Sequence, residues 1–296
     1  MKGARAALLG LAALAIAPAA AAAQCSTGTT SGDVICVFES PRWAGELASL
    51  SANGILGGLT AGVAQRLKGE SFADGFVRGF LGGGFSWAGK RIAAERFDGA
   101  GLIGRELAAA GASVVRNAGA GRPLLERLTL PAGPLWLEVG TGGAKGLRAR
   151  VDPASAAWLI YGVVERELDL DAGASLSSGT FVFRTRGKLF DVDGEAHAAG
   201  LTSAGIIYLA DVPAYGESFA RRAIAHERIH VLQEDQLAIL WTDPALGWAA
   251  GRAGMPASAG RLLAWNLSTE LLRLLGGLVP EHRNRPWEAE AVFHAR

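Results

Sequence analysis

Residues 223–236 read Ala223-Ile224-Ala225-His226-Glu227-Arg228-Ile229-His230-Val231-Leu232-Gln233-Glu234-Asp235-Gln236. The core of this stretch is an H-E-x-x-H pattern. A spacing of four places one imidazole a helical turn above the other, so both reach a single metal ion from the same face. The glutamate between them stands where it accepts a proton from a water polarised by that ion. The apolar neighbours Ala223, Ile224, Ala225, Ile229, Val231 and Leu232 mark a buried helix rather than a solvated one. The chain has five histidines, and two of them are spent here. Arg228, two positions from His226, points away from the shared face. Glu234 and Asp235, further along the same helix, are expected to face solvent.

Outward from this helix, the chain from about residue 126 reads as mixed α and β. Gly205-Ile206-Ile207-Tyr208-Leu209-Ala210 is a strand that leads through the turn Pro213–Gly216 into the motif helix, with Ser218 as its N-cap. Leu135–Val139 and Leu147–Val151 alternate in polarity around a glycine-rich turn and form a hairpin. Pro153 suits the first turn of a helix over Ala154–Glu167. Thr180–Arg184 and Lys188–Val192 are further strands.

Upstream, residues 43–122 are rich in Gly, Ala and Ser. Gly58 and Gly62 stand four apart, and Gly75, Gly79 and Gly83 repeat that interval, which puts small residues on one helical face where backbones approach closely. A soluble, tightly packed helical hairpin is the expected use of this face. A membrane surface engaged through residues 47–90 is the rival. Gly99-Ala100-Gly101-Leu102-Ile103-Gly104 matches the dinucleotide fingerprint G-x-G-x-x-G, but helical sequence precedes it where that fingerprint requires a strand, so it is set aside.

Lys2 and Arg5, the apolar run 6–17 and Ala21–Ala23 have the form of a signal peptide, too short to span roughly 30 Å of hydrocarbon. The expected organisation is a signal peptide over 1–23, a Gly/Ala-rich helical region over 24–125 and an α+β domain over 126–296. Export implies a periplasmic or secreted protein and makes a Cys25–Cys36 disulfide plausible. Half the chain is apolar and 19% is charged, which excludes a disordered polymer. The net charge of +1, which becomes −1 when Lys2 and Arg5 are removed (27 basic against 28 acidic), argues against a nucleic-acid partner.

On His226-Glu227-x-x-His230, the segment 126–296 resembles the zincin metallopeptidases. The resemblance implies a mixed sheet above an active-site helix, Gly205–Ala210 as the edge strand that pairs with extended substrate, bound Zn²⁺, and a peptide or protein substrate. Gln233 and Gln236 stand where a metzincin needs Gly and His. No acid lies between Asp243 and Glu270, where a thermolysin-like enzyme places its third ligand. Glu270, Glu281, His282, Glu288, Glu290 and His294 remain. Glu288-x-x-Ala291 is similar to the E-x-x-A-D segment of gluzincins such as the membrane-associated CAAX-processing peptidases. His226-Glu227-x-x-His230-x-x-Gln233 also looks like metallopeptidase-like domains found beside phage-tail-like injection systems. Glu288 is the first choice and Glu290 the second; Val292 replaces the usual Asp. The implied site is therefore His226, His230 and Glu288 on the metal and Glu227 as general base. A non-catalytic zincin-like protein and a membrane-active protein are the alternatives.

Overall fold

The computed structural model describes residues 24–27, 34–37, 42–141, 146–185, 189–192, 196–198, 200–210, 216–279 and 285–295. The expected signal peptide, residues 1–23, lies outside them. In chain order the elements begin with strands β1 (Gln24–Thr27) and β2 (Val34–Val37), then helices α1 (Arg42–Leu67), α2 (Phe72–Ala93) and α3 (Ala100–Gly119). Strands β3 (Arg127–Ala132), β4 (Leu135–Gly140) and β5 (Gly146–Val151) precede α4 (Pro153–Val164). Then come β6 (Leu168–Leu170), α5 (Ala172–Ser178), β7 (Val182–Thr185), β8 (Leu189–Val192), β9 (Ala196–Ala198), β10 (Gly200–Ser203) and β11 (Ile206–Ala210). The motif helix α6 (Gly216–Leu237) passes through a π-helical turn, Ala238–Thr242, into α7 (Asp243–Arg252), α8 (Ala257–Leu262), α9 (Ser268–Gly277) and α10 (Pro286–His294). The class is mixed α+β, as read from the sequence.

β1 and β2 pair antiparallel with Cys25 opposite Cys36, the placement that the expected disulfide requires. The side chains of this hairpin lie outside the described part.

The glycine intervals of α1 and α2 close on each other. A Cβ at Gly57 would meet Gly79 O at 2.5 Å, one at Gly75 would meet Ala61 O at 2.8 Å, and one at Gly58 would run into the Phe76 ring. The glycine face is thus filled from within the chain. The fingerprint-like glycines serve the same end. Gly99 caps the start of α3 at φ 84°, while Cβ atoms at Gly101 and Gly104 would strike the Ser178 and Ala93 backbones. No strand leads into this turn, because α2 occupies the preceding residues up to Ala93.

β3, β4 and β5 form an antiparallel sheet, and a second sheet has the order β10-β11-β7-β6, with β11 and β7 parallel. Here the structure corrects one expectation. Gly205–Ala210 is not the edge strand: β11 lies between β10 and β7. The reason is its composition. Ile206-Ile207-Tyr208-Leu209 is apolar on both faces, and both faces are covered, Ile207 and Leu209 by α6 and Ile206 and Tyr208 by the Trp158 and Tyr161 side of α4. A strand buried twice needs a neighbour on each side for its backbone groups. Among the described residues the edge beside α6 is β10. Its hairpin turn, Ala204 at φ 48° and Gly205 at φ 75°, is a two-residue loop with both residues left-handed, the twist a tight hairpin favours.

Two clusters of buried apolar residues join the two halves read from the sequence, and a third, within the glycine-rich half, is covered by Leu240. Ala93 and Ala108 of the glycine-rich helices pack with Val182, Ile207, Ile229, Leu232 and Ala291. Ala109 and Ala112 pack with Trp136, Ala238 and Ile239, and Ala61, Val115 and Ala118 form the third cluster. α6 lies at the centre of this arrangement, with the second sheet on one side and α3 and α10 on others.

Candidate metal centre

α6 is amphipathic in an unusual sense: nearly every residue from Ala225 to Asp235 is buried, including its polar ones. Such burial is tolerable only where each polar group has a partner. Arg228 donates to Ser177 Oγ at 2.9 Å and Ser178 Oγ at 3.0 Å, on the side away from the histidines. Asp235 takes Arg105 at 2.7 Å, both side chains being almost fully enclosed. Glu234 accepts from Gly205 N at 2.7 Å and from Thr269 Oγ1 at 2.5 Å, and so pins the β10–β11 turn to α6. The expectation that Glu234 and Asp235 face solvent is therefore wrong, because α3 and the β10–β11 turn cover that side of the helix. Burial pushes the Glu234 carboxyl up to about 7.

His226 and His230 do share one face, with their Nε2 atoms 3.0 Å apart. α10 delivers the third group. Pro286 opens this helix, and Glu288 sits in its first turn, with Oε2 3.3 Å from His226 Nε2 and 3.2 Å from His230 Nε2. Glu288 is 7% exposed, so it is no solvated helix start. A tetrahedral ion with bonds of ~2.0 Å holds its ligand atoms ~3.3 Å apart. The triangle of 3.0, 3.2 and 3.3 Å matches that separation, and two imidazoles with one carboxylate are a donor set suited to Zn²⁺. Burial alone would lower the His230 pKa, but the hydrogen bond that protonated His230 donates to Glu288 and the charges of Glu227 and Glu288 raise it to about 9. The cluster is thus a place where positive charge is stabilised.

The other third-ligand candidates lie elsewhere. Glu290, two residues after Glu288 and so on another side of α10, accepts from Lys90 Nζ at 2.9 Å and Asn53 Nδ2 at 2.8 Å. Burial pushes its carboxyl up, but the Lys90 ammonium, with smaller help from His294 and Asn53, holds it at about 2. Glu270 is exposed and faces Arg273 at 3.6 Å. His294 is buried against Ser49 Oγ at 3.3 Å. Glu281 and His282 fall outside the described residues.

Glu227, the candidate base, is 5% exposed. Thr202 Oγ1 on β10 donates to its Oε2 at 2.8 Å. Gly200, at the other end of the same short strand, lies so close that a Cβ there would stand 2.6 Å from Glu227 Oε1. The edge strand therefore touches the base directly. Tyr208 donates to Trp158 O at 2.7 Å on the far face of the sheet and does not serve the site.

Three contributors receive no role at the site from the sequence: Gln233, quoted only as part of a motif string, and Thr202 and Lys90, which are not singled out. Gln233 carried a signal, since 226, 230 and 233 follow the i, i+4, i+7 pattern of one helical face. Thr202 and Lys90 carried none: they arrive from 25 or more residues away in the chain. Comparison with protein-family models, curated proteins and solved structures finds no match to this chain.

Proposed function

We propose that this chain is an exported zinc metallopeptidase that hydrolyses peptide bonds in a peptide or protein substrate. The observation that carries the reading is the convergence of His226, His230 and Glu288 from two helices, with Glu227 of the same motif helix held against the edge strand by Thr202. His226, His230 and Glu288 would hold the ion through Nε2, Nε2 and Oε2. When bound, Zn²⁺ supplies Lewis-acid polarisation of the substrate carbonyl and of water. The chain's own residues supply the proton traffic. Thr202 occupies Glu227 Oε2, so Oε1 is the oxygen that accepts the proton of the attacking water and returns it to the leaving nitrogen. Enclosure keeps Glu227 fixed at that task. The outward edge of β10 offers backbone donors and acceptors to an extended peptide, which would add as a further strand beside the base.

One set of purified proteins tests the reading. Wild type should carry about one zinc per chain by elemental analysis, and His230→Ala should lose it. Glu227→Gln should keep the zinc and the fold but cut peptide-library hydrolysis by about 10²–10⁴-fold. Stoichiometric zinc in His230→Ala, or equal cleavage by Glu227→Gln and wild type, would refute the assignment.

A second reading adds a membrane surface as partner of the α1–α2 hairpin. With its glycine face turned inward, the hairpin leaves Trp43, Leu47, Val77, Leu81 and Phe85 more than half or about half exposed. α1 is also long and apolar enough, by length and composition, to cross a membrane. Exposed apolar area of this extent marks an interaction surface. Vesicle flotation tests it: wild type should float with anionic liposomes, and a Leu47→Glu, Leu81→Glu variant should stay in the aqueous phase. Wild type that remains aqueous leaves the hairpin as a purely internal support.

A further inference from the structure

His230 owes its orientation to a chain of contacts that runs back into the glycine-rich helices. Its Nδ1 lies 2.8 Å from Gln233 Oε1. The amide nitrogen of Gln233 has two acceptors, Glu290 Oε2 at 2.8 Å and Trp287 O at 3.0 Å. A carboxylate and a carbonyl only accept, so the NH₂ must face them and Oε1 must face His230. Gln233 Oε1 in turn requires a proton on His230 Nδ1. With an ion bound, His230 would then be the Nδ1–H tautomer, with the lone pair of its Nε2, on the side of His226 and Glu288, left for the metal. The Gln233 amide is held in this sense by Glu290, and Glu290 is held by Lys90. The Lys90 ammonium, 3% exposed, donates to Glu290 Oε1 at 3.0 Å, Glu290 Oε2 at 2.9 Å and Asn53 Oδ1 at 3.0 Å. Asn53 closes the cluster by donating to Glu290 Oε1 at 2.8 Å.

We propose that Lys90 on α2 is a positioning residue of the metal centre, acting through Glu290 and Gln233 to fix His230 in its metal-binding tautomer. The inference rests on the metal reading above. It gives the glycine-rich region a task in the site: α1 and α2 carry Asn53 and Lys90 to α10, and the close glycine seam lets two helices reach Glu290 at once. Without the ammonium, Glu290 loses its counter-charge and Gln233 loses its anchor. An amide turned end for end would present N–H to Nδ1 and force the proton onto Nε2, where it blocks the metal. Partners that orient ligating histidines change metal affinity by about 10–100-fold.

The test measures zinc affinity by chelator competition in the full chain and, on the Co²⁺-loaded protein, the visible ligand-field spectrum. Lys90→Met should bind zinc about 10–100-fold more weakly and shift the cobalt bands. Gln233→Glu, which sets two carboxylates against each other, should do the same. The double exchange Gln233→Glu with Glu290→Gln restores one acceptor for His230 and one for Lys90, and should recover affinity and spectrum. A wild type that binds zinc alongside a folded Lys90→Met of equal affinity and unchanged cobalt spectrum overturns the positioning role and leaves the metal reading intact. A wild type that binds no zinc overturns both. Should Lys90→Met fail to fold, failure of the double exchange to improve on Gln233→Glu refutes the role.

Discussion

His294 is 4% exposed, with Nε2 against Ser49 and Nδ1 without a hydrogen-bond partner among the described residues. Burial lowers its pKa from 6.5 to about 4; Glu290 works against that shift, and Lys90 and Arg91 add to it. The sign follows. In the unfolded chain this histidine takes a proton as pH falls through 6.5, while in the folded chain it stays neutral to about 4. Its contribution to stability is complete above pH 6.5 and is lost between there and pH 4, on the order of 3 kcal/mol in all. Glu234, raised to about 7 by burial, changes stability in the opposite sense over part of this range, so the effect must be read as a difference. Urea melts of wild type and His294→Gln should differ in favour of wild type at pH 7 and converge by pH 4.5. A constant difference would mean that the proton is not the cause. The order of the H-E-x-x-H residues made the motif helix α6 readable. His294 could not be read in the same way, because its neutrality depends on neighbours 203 and more positions away in the chain.

Among the elements, the α1–α2 pair shows how a pattern can be legible while its use is not. The interval of four predicts a face of small residues, and such a face serves equally for an internal seam or for contact with another helix. In this fold Gly79 faces the Gly57 backbone directly, leaving no room for a side chain. Gly79→Leu should therefore lower stability by about 1–3 kcal/mol through overpacking, with loss of midpoint in chemical denaturation. Gly84, whose Cβ would find only Leu50 at 3.9 Å, is the matched control, and Gly84→Ala should be nearly neutral. The strands teach the complementary lesson. β4, β5 and β11 stood out by alternation or by an apolar run, whereas β10 is four residues, Gly-Leu-Thr-Ser, with no pattern to mark it. It is held as a strand by its turn and by Glu234, and it is the strand that meets the catalytic candidate.

Taken together, the glycine-rich helices and the α+β part share their cores. Trp136, fully enclosed, packs against Ala109 and Ala112 of α3, and Ile229 of α6 lies in the cluster that holds Ala93 and Ala108. A fragment covering residues 126–296 would expose these surfaces and strand Asp235 without Arg105. Loss of one partner of a buried ion pair costs about 3–5 kcal/mol, a large share of the stability of an ordinary domain. That fragment should be soluble only as a non-cooperative state, with a broad thermal transition and weak zinc binding. A sharp transition and wild-type zinc affinity in the fragment would separate the two parts.

Local order in the chain was enough for the α+β class, the motif helix and its two histidines, because a period of 3.6 residues and a fixed spacing are properties of neighbouring residues. Glu288 was within reach only as one acid among several near the C-terminus. The sequence ranked it above Glu290 only through the resemblance of Glu288-x-x-Ala291; the physical reason lies in the docking of α10, which turns Glu288 to the histidines and Glu290 to Lys90. The position of β11 inside its sheet, the enclosure of Glu234 and Asp235, and the partnership of Lys90 with the site were likewise settled by long-range packing. Contacts across 58 to 200 residues depend on how whole elements stack, and no pattern of neighbouring residues records them.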